Sequence, residues 1–132
     1  MFVDGSALIA MLTDEEEARI FAARLQASPK RLTSPIAAFE AAASVSRAYG
    51  LPIEEANEAV LRFLDLMSIQ IMSLPAQVTS IALEAYGRYG RGRGNSAGLN
   101  TGDCFSYACA RYYRQPLLYK GAKFAATDIE TA

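Results

Sequence analysis

The apolar positions of this chain fall into short blocks of changing period, and those blocks set the order of elements. Met1-Phe2-Val3 is a compact apolar run closed by Asp4-Gly5-Ser6 and reads as a short buried strand. Ala7 to Leu12 is apolar throughout and reads as a short helix behind that turn-and-cap signal. Thr13 is a second cap, and the acids Asp14, Glu15, Glu16 and Glu17 after it suit the positive end of a helix dipole. Ile20, Phe21 and Leu25 are the apolar contacts of the helix they open. Arg31-Leu32-Thr33 is a candidate strand. Ser34-Pro35 places a cap before a proline at the first helical position, and the helix it starts runs to Tyr49 and stops at Gly50. Pro52 starts another, carried by Ala56, Val60, Phe63, Leu64 and Met67. Ser68 to Ser73 alternates and reads as a strand. Pro75 opens a helix through Val78, Ile81, Ala82, Ala85 and Tyr86, and Tyr89 to Gly98 is the one long loop. Asn100 to Asp103 caps a helix ending near Tyr113, Pro116 to Tyr119 is a short strand, and Gly121 to Ala132 is irregular.

Strands alternating with helices predict an α/β fold with a mostly parallel sheet. In such sheets the functional residues gather outside the carboxyl ends of the strands. Asp4 falls just after the first strand. The 132 residues suit a single domain, with no internal repeat and no linker.

Composition narrows the chemistry. The chain is 52% hydrophobic and 20% charged, ordinary for a globular protein. No apolar run approaches the ~20 residues of a membrane span, and the N-terminus has no signal-peptide pattern. A cytoplasmic protein is expected. There are no histidines, which excludes Ser-His-Asp and Cys-His catalysis and any histidine-ligated metal. The net charge of −1 exerts no global pull on nucleic acid, so such a site needs a local basic patch. Cys104 and Cys109 are five positions apart on one predicted helix, on different faces, and read as small core residues rather than a disulfide or zinc pair.

Three acids remain conspicuous. Asp4 closes an apolar strand, and it either caps the next helix or serves a site. Glu40 is the only charge between Arg31 and Arg47. It either pairs with Arg47, two turns away on the same face, or points inward at a cation. Asp103 sits in the first turn of its helix, where the dipole alone would stabilise it. An acidic cluster built from separate segments is a common way to hold Mg²⁺ for phosphoryl chemistry. The glycine-rich stretch from Gly87 to Gly98 lacks the Gly-Lys-Ser/Thr ending of a phosphate cradle. Its Arg88, Arg91 and Arg93 are candidate phosphate contacts, with Tyr86 and Tyr89 beside them as stacking or core aromatics. Lys120 and Lys123 form a second basic spot.

Taken together these segments resemble the PIN-domain ribonucleases, in particular the VapC-like toxins of bacterial toxin–antitoxin pairs. The resemblance rests on Met1-Phe2-Val3-Asp4-Gly5-Ser6-Ala7-Leu8, on Ser34-Pro35 through Glu40-Ala41-Ala42, on Leu99-Asn100-Thr101-Gly102-Asp103-Cys104, and on Pro116 to Gly121 with Phe124 and Thr127-Asp128-Ile129, in that order. It implies a PIN-like fold, a central parallel sheet with helices on both faces. It also implies an Mg²⁺- or Mn²⁺-dependent endoribonuclease with Asp4, Glu40 and Asp103 as metal ligands and Ser6 orienting a ligand or water. An RNA substrate, a small antitoxin and a homodimer come with the same resemblance. One departure stands out: where relatives read Asp-Asp-Phe, this chain reads Ala122-Lys123-Phe124. The fourth acid is missing, which raises the alternative of a weakened PIN domain that binds RNA or antitoxin without efficient cleavage. Lys123 there either contacts a substrate phosphate or opposes the metal. Whether Asp128 fills the gap is left open by the sequence.

Overall fold

The computed structural model describes all residues, 1–132. Four two-residue strands form one parallel sheet: β1 (Phe2–Val3), β2 (Leu32–Thr33), β3 (Gln70–Ile71) and β4 (Leu117–Leu118), in the order β3-β2-β1-β4. Six helices connect them: α1 (Gly5–Leu12), α2 (Ala18–Ala27), α3 (Pro35–Tyr49), α4 (Ile53–Leu66), α5 (Ala76–Tyr89) and α6 (Thr101–Tyr112). No helix is long and apolar enough to cross a membrane.

The period of two in the strands sorts the core into two layers. Val3 and Leu118 face one way, into a cluster with Leu8, Phe21, Leu25, Ala41, Val45, Val60 and Leu64 from α1 to α4. Phe2, Leu32 and Leu117 face the other way, against Val78, Ala82, Cys104, Tyr107, Ala108 and Cys109 of α5 and α6. The expected helices on both faces are therefore present. Both cysteines are free and buried, as core residues, and burial pushes the Cys109 thiol up to about 11.

Caps explain most helix boundaries. Asp4 accepts from the Ser6 N–H to start α1. Ser34 accepts from the Ala37 N–H ahead of Pro35 to start α3. Asn100 and Asp103 form a reciprocal capping box on α6. Two expectations are corrected. Thr13 does not open α2: its hydroxyl donates to the Ile9 carbonyl at 2.7 Å and ends α1. The acids 14–17 lie in the turn between the helices, and α2 begins after Glu17 without a side-chain cap. The alternating run from Ser68 to Ser73 pairs only over Gln70–Ile71, against the equally short β2 at the exposed edge of the sheet.

The chain crosses from β1 outward through β2 to β3, then returns to place β4 on the other side of β1. That reversal opens a crevice at the carboxyl ends of β1 and β4, where open α/β sheets bind ligands. Asp4 enters it from β1, and its N–H donates to the Leu118 carbonyl at 2.9 Å.

Gly50 ends α3 at φ 63°, ψ 33°, with open space where a Cβ would stand. Gly50→Ala is expected to cost about 1 kcal/mol from backbone strain alone, read by urea denaturation, with the fold unchanged by circular dichroism.

Candidate metal centre

Each of the three acids is delivered by a different piece of local structure. Asp4 is 4% exposed at the end of β1. Its Oδ2 accepts from the Ser6 N–H at 3.0 Å and the Ser6 hydroxyl at 2.5 Å. Ser6 Oγ in turn accepts from the Lys120 N–H at 3.0 Å, so one hydroxyl ties the exit of β4 to the acid after β1. Asp103 is also buried, and its Oδ2 accepts from the Asn100 N–H at 2.9 Å. Glu40 lies in the middle of α3, half-buried, and reaches toward the first turns of α1 and α6. A Cβ at Gly5 would lie 2.6 Å from Glu40 Oε1, and one at Gly102 would collide with Oε2. These two glycines are needed for close approach, since both have ordinary negative φ.

All three carboxylates line one cavity of about 340 Å³, together with Ser6, Ser44, Arg47, Asn100 and Lys123. Burial and crowding raise the pKa of two of them, Glu40 and Asp4. Glu40 is pushed up to about 7, chiefly by burial, then by Asp4 and Asp103, against a smaller pull from Lys123. Burial also raises Asp4, with Asp103 adding repulsion and hydroxyls of Ser106 and Ser6 working against it. Arg47 bonds the Ser44 hydroxyl at 3.2 Å rather than Glu40, so the expected ion-pair explanation of Glu40 does not apply.

The donor set is three carboxylates with serine hydroxyls and no thiol or imidazole, which suits a hard divalent cation. As the side chains stand, no three acids converge at ligand spacing. Lys123 Nζ donates to Asp103 Oδ2 at 2.5 Å, so one candidate ligand oxygen is already paired with a cation.

Other predicted residues fall elsewhere. Arg88 belongs to the last turn of α5, lies over the Tyr89 ring at 4.8 Å and pairs with Asp128 at 3.4 Å. Arg91 and Arg93 are on the exposed loop, with Arg93 5.9 Å from the Tyr86 ring centroid. None of the three lines the acidic cavity. Asp128 does not fill the missing position. It accepts from Tyr107 at 2.5 Å and Arg111 at 2.6 Å, and those contacts, the tyrosine hydroxyl first, hold its carboxyl down at about 2. Lys120 pairs with Glu15 at 2.6 Å and Glu17 at 3.2 Å. Sequence reasoning passed over Ser106 and the two glycines. Ser106 lies three residues after Asp103, one helical turn along the same face, and that spacing was the available signal.

With this geometry in place, similarity to known proteins is informative. Residues 1–130 match the PIN domain family. The chain belongs to the PIN-domain family. It is 40% identical over 131 residues to the VapC ribonuclease Mb0640 of Mycobacterium bovis, covering 99% of this chain and 97% of that one. Ribonuclease VapC30 of Mycobacterium tuberculosis matches equally, and ribonuclease VapC of Mycolicibacterium smegmatis is 39% identical over 129 residues, 98% of this chain and 97% of the other. Among solved structures, the fold superposes on M. tuberculosis VapC20, a toxin that cleaves the sarcin-ricin loop, with a TM-score of 0.75 at 19% identity, over 99% of this chain and 97% of that one. A toxin–antitoxin complex from Klebsiella pneumoniae gives 0.67 at 19%, over 96% and 92%. PIN-domain ribonucleases are metal-dependent, in keeping with the oxygen donors of this cavity.

Two tests follow from the electrostatics. Folding raises the Glu40 pKa from 4.5 to about 7, so the folded state holds a proton that the unfolded state has lost, and stability falls as pH rises through that window. Without metal, in EDTA at pH 8, Glu40→Gln is expected to stabilise the fold by about 1–2 kcal/mol after allowance for solvent screening. It should also flatten the pH dependence of Tm between pH 4.5 and 7. Asp128→Asn is expected to lose about 1 kcal/mol of stability while leaving Mn²⁺ affinity by calorimetry unchanged. A loss of metal binding would return Asp128 to the site.

Proposed function

We propose that this chain is a single PIN domain acting as a metal-dependent endoribonuclease toxin that hydrolyses RNA phosphodiester bonds. The observation carrying this reading is that Asp4, Glu40 and Asp103 line one cavity at the switch point of a fold whose full-length relatives are ribonucleases. Mg²⁺ or Mn²⁺ is the metal that suits the oxygen donors. When bound, such an ion supplies a Lewis acid for phosphate oxygens and a water of lowered pKa.

The chain's own groups do the rest. Asp4, Glu40 and Asp103 provide the ligand oxygens, and Ser6 fixes the direction of the Asp4 carboxylate. The cavity's burial strengthens every charge interaction with the phosphate. A water oxygen bonds to phosphorus as the bond to the leaving sugar oxygen breaks, the water releasing a proton to solvent and the leaving oxygen taking one up, which gives a phosphomonoester and a free hydroxyl. Negative charge collects on the non-bridging oxygens, where cations are required. Arg91 and Arg93, exposed on the loop that leads into α6, are the proposed contacts for phosphates further along the strand. Arg88 is committed to Asp128.

A small cognate antitoxin and a homodimer complete the proposed biology, in the cytoplasm where RNA is available. The weakened-domain alternative is motivated by Ala122 and Lys123. It is not favoured, because the relatives matched along nearly the whole chain are named ribonucleases.

The purified chain is expected to cleave total bacterial RNA with Mn²⁺ or Mg²⁺. EDTA, Asp4→Asn or Asp103→Asn should each reduce the rate by about 100-fold or more, read by gel electrophoresis. An inert wild type that also shows no Mn²⁺ binding by calorimetry would falsify the nuclease reading.

A further inference from the structure

Two cations line the acidic cavity, Arg47 and Lys123, and of these Lys123 pairs with one of its acids. Lys123 Nζ lies 2.5 Å from Asp103 Oδ2, against an acid whose side chain is only 11% exposed. Its backbone is anchored, because the next residue, Phe124, is buried in the core at 2% exposure. Its side chain remains 43% exposed, so the ammonium can change partners without disturbing the fold. The other basic residues nearby are engaged. Lys120 is held by Glu15 and Glu17, and Arg88 and Arg111 are held by Asp128. Arg47 lines the cavity from α3 and bonds Ser44. Lys123 is therefore the cation placed directly on a candidate ligand.

Charge sets the consequence. One divalent ion and the Lys123 ammonium already offset the three carboxylates, and Arg47 on the same cavity adds a further positive charge. A second divalent ion would have to sit against that ammonium with no further carboxylate to offset the repulsion, since Asp128 is turned away.

We propose that Lys123 is the built-in second cation of this site: it limits the cavity to one divalent ion and, displaced from Asp103 when that ion binds, holds a non-bridging oxygen of the scissile phosphate. This rests on the nuclease reading for its phosphate contact, and on the geometry alone for its limit of one ion. Lysine suits the task as a compact point charge on a flexible stem. The phosphate contact makes it a catalytic residue, acting where charge develops in the transition state.

The test uses the full chain, with Mn²⁺ as the metal probe and total bacterial RNA as the substrate probe. Calorimetry and electron paramagnetic resonance should count one Mn²⁺ on wild type and two on Lys123→Asp. Lys123→Ala should bind one Mn²⁺ more tightly than wild type, yet cleave about 100-fold more slowly through kcat, with partial rescue in Lys123→Arg. Lys123→Ala also guards the test if Lys123→Asp folds poorly. Two Mn²⁺ on wild type, or one on a folded Lys123→Asp, would overturn the limit of one ion. Undiminished cleavage by Lys123→Ala would overturn the phosphate contact. A wild type that binds one Mn²⁺ but cleaves no RNA would instead overturn the nuclease reading and leave the one-ion limit standing.

Discussion

Crowding of Asp4, Glu40 and Asp103 in one cavity is the constraint on which the site depends. Burial first, and repulsion from neighbouring carboxylates second, raise the proton affinity of Asp4 and Glu40, and Glu40 reaches about 7. The chain offsets it with positive ends of backbone. Asp4 caps α1, Asp103 sits in the first turn of α6, and Glu40 reaches from α3 to the first turns of both helices. Two helix N-termini thus face the same acids, which is the arrangement that best tolerates negative charge. Gly5 and Gly102 are the sequence cost of that closeness.

The sheet makes the cavity possible. Because β4 lies beside β1 rather than beyond β3, the segments after the two strands meet at one crevice. Ser6 joins them, accepting from Lys120 and donating to Asp4. Lys120 extends the link through Glu15 and Glu17 to the turn between α1 and α2. The same crossing brings Lys123 over Asp103. Topology, more than any single motif, puts a lysine against Asp103.

Features encoded locally were legible in the sequence. Asp4, Ser34-Pro35 and Asn100 with Asp103 cap their helices through bonds within three residues, so spacing alone predicts them. The three acids were legible for a related reason, each being an unpartnered charge in an apolar or capping context. What the sequence did not disclose depends on distant partners. Thr13 resembled a helix start but bonds back to Ile9. Ser68 to Ser73 alternates like a full strand, yet an exposed sheet edge pairs only two of its residues. Asp128 and Lys123 are close in sequence, and only the fold sends one to Arg111 and the other to Asp103. The Arg88 pairing with Asp128 spans forty positions and has no local signature.

On the proposed reading, these acids hold a divalent ion that takes Asp103 from Lys123. Anomalous diffraction from crystals grown with Mn²⁺ tests it most directly. A single peak bounded by Asp4, Glu40 and Asp103 is expected, with Lys123 Nζ moved off Asp103 Oδ2. Crystals with no anomalous peak in the cavity and the Lys123–Asp103 pair intact would contradict it.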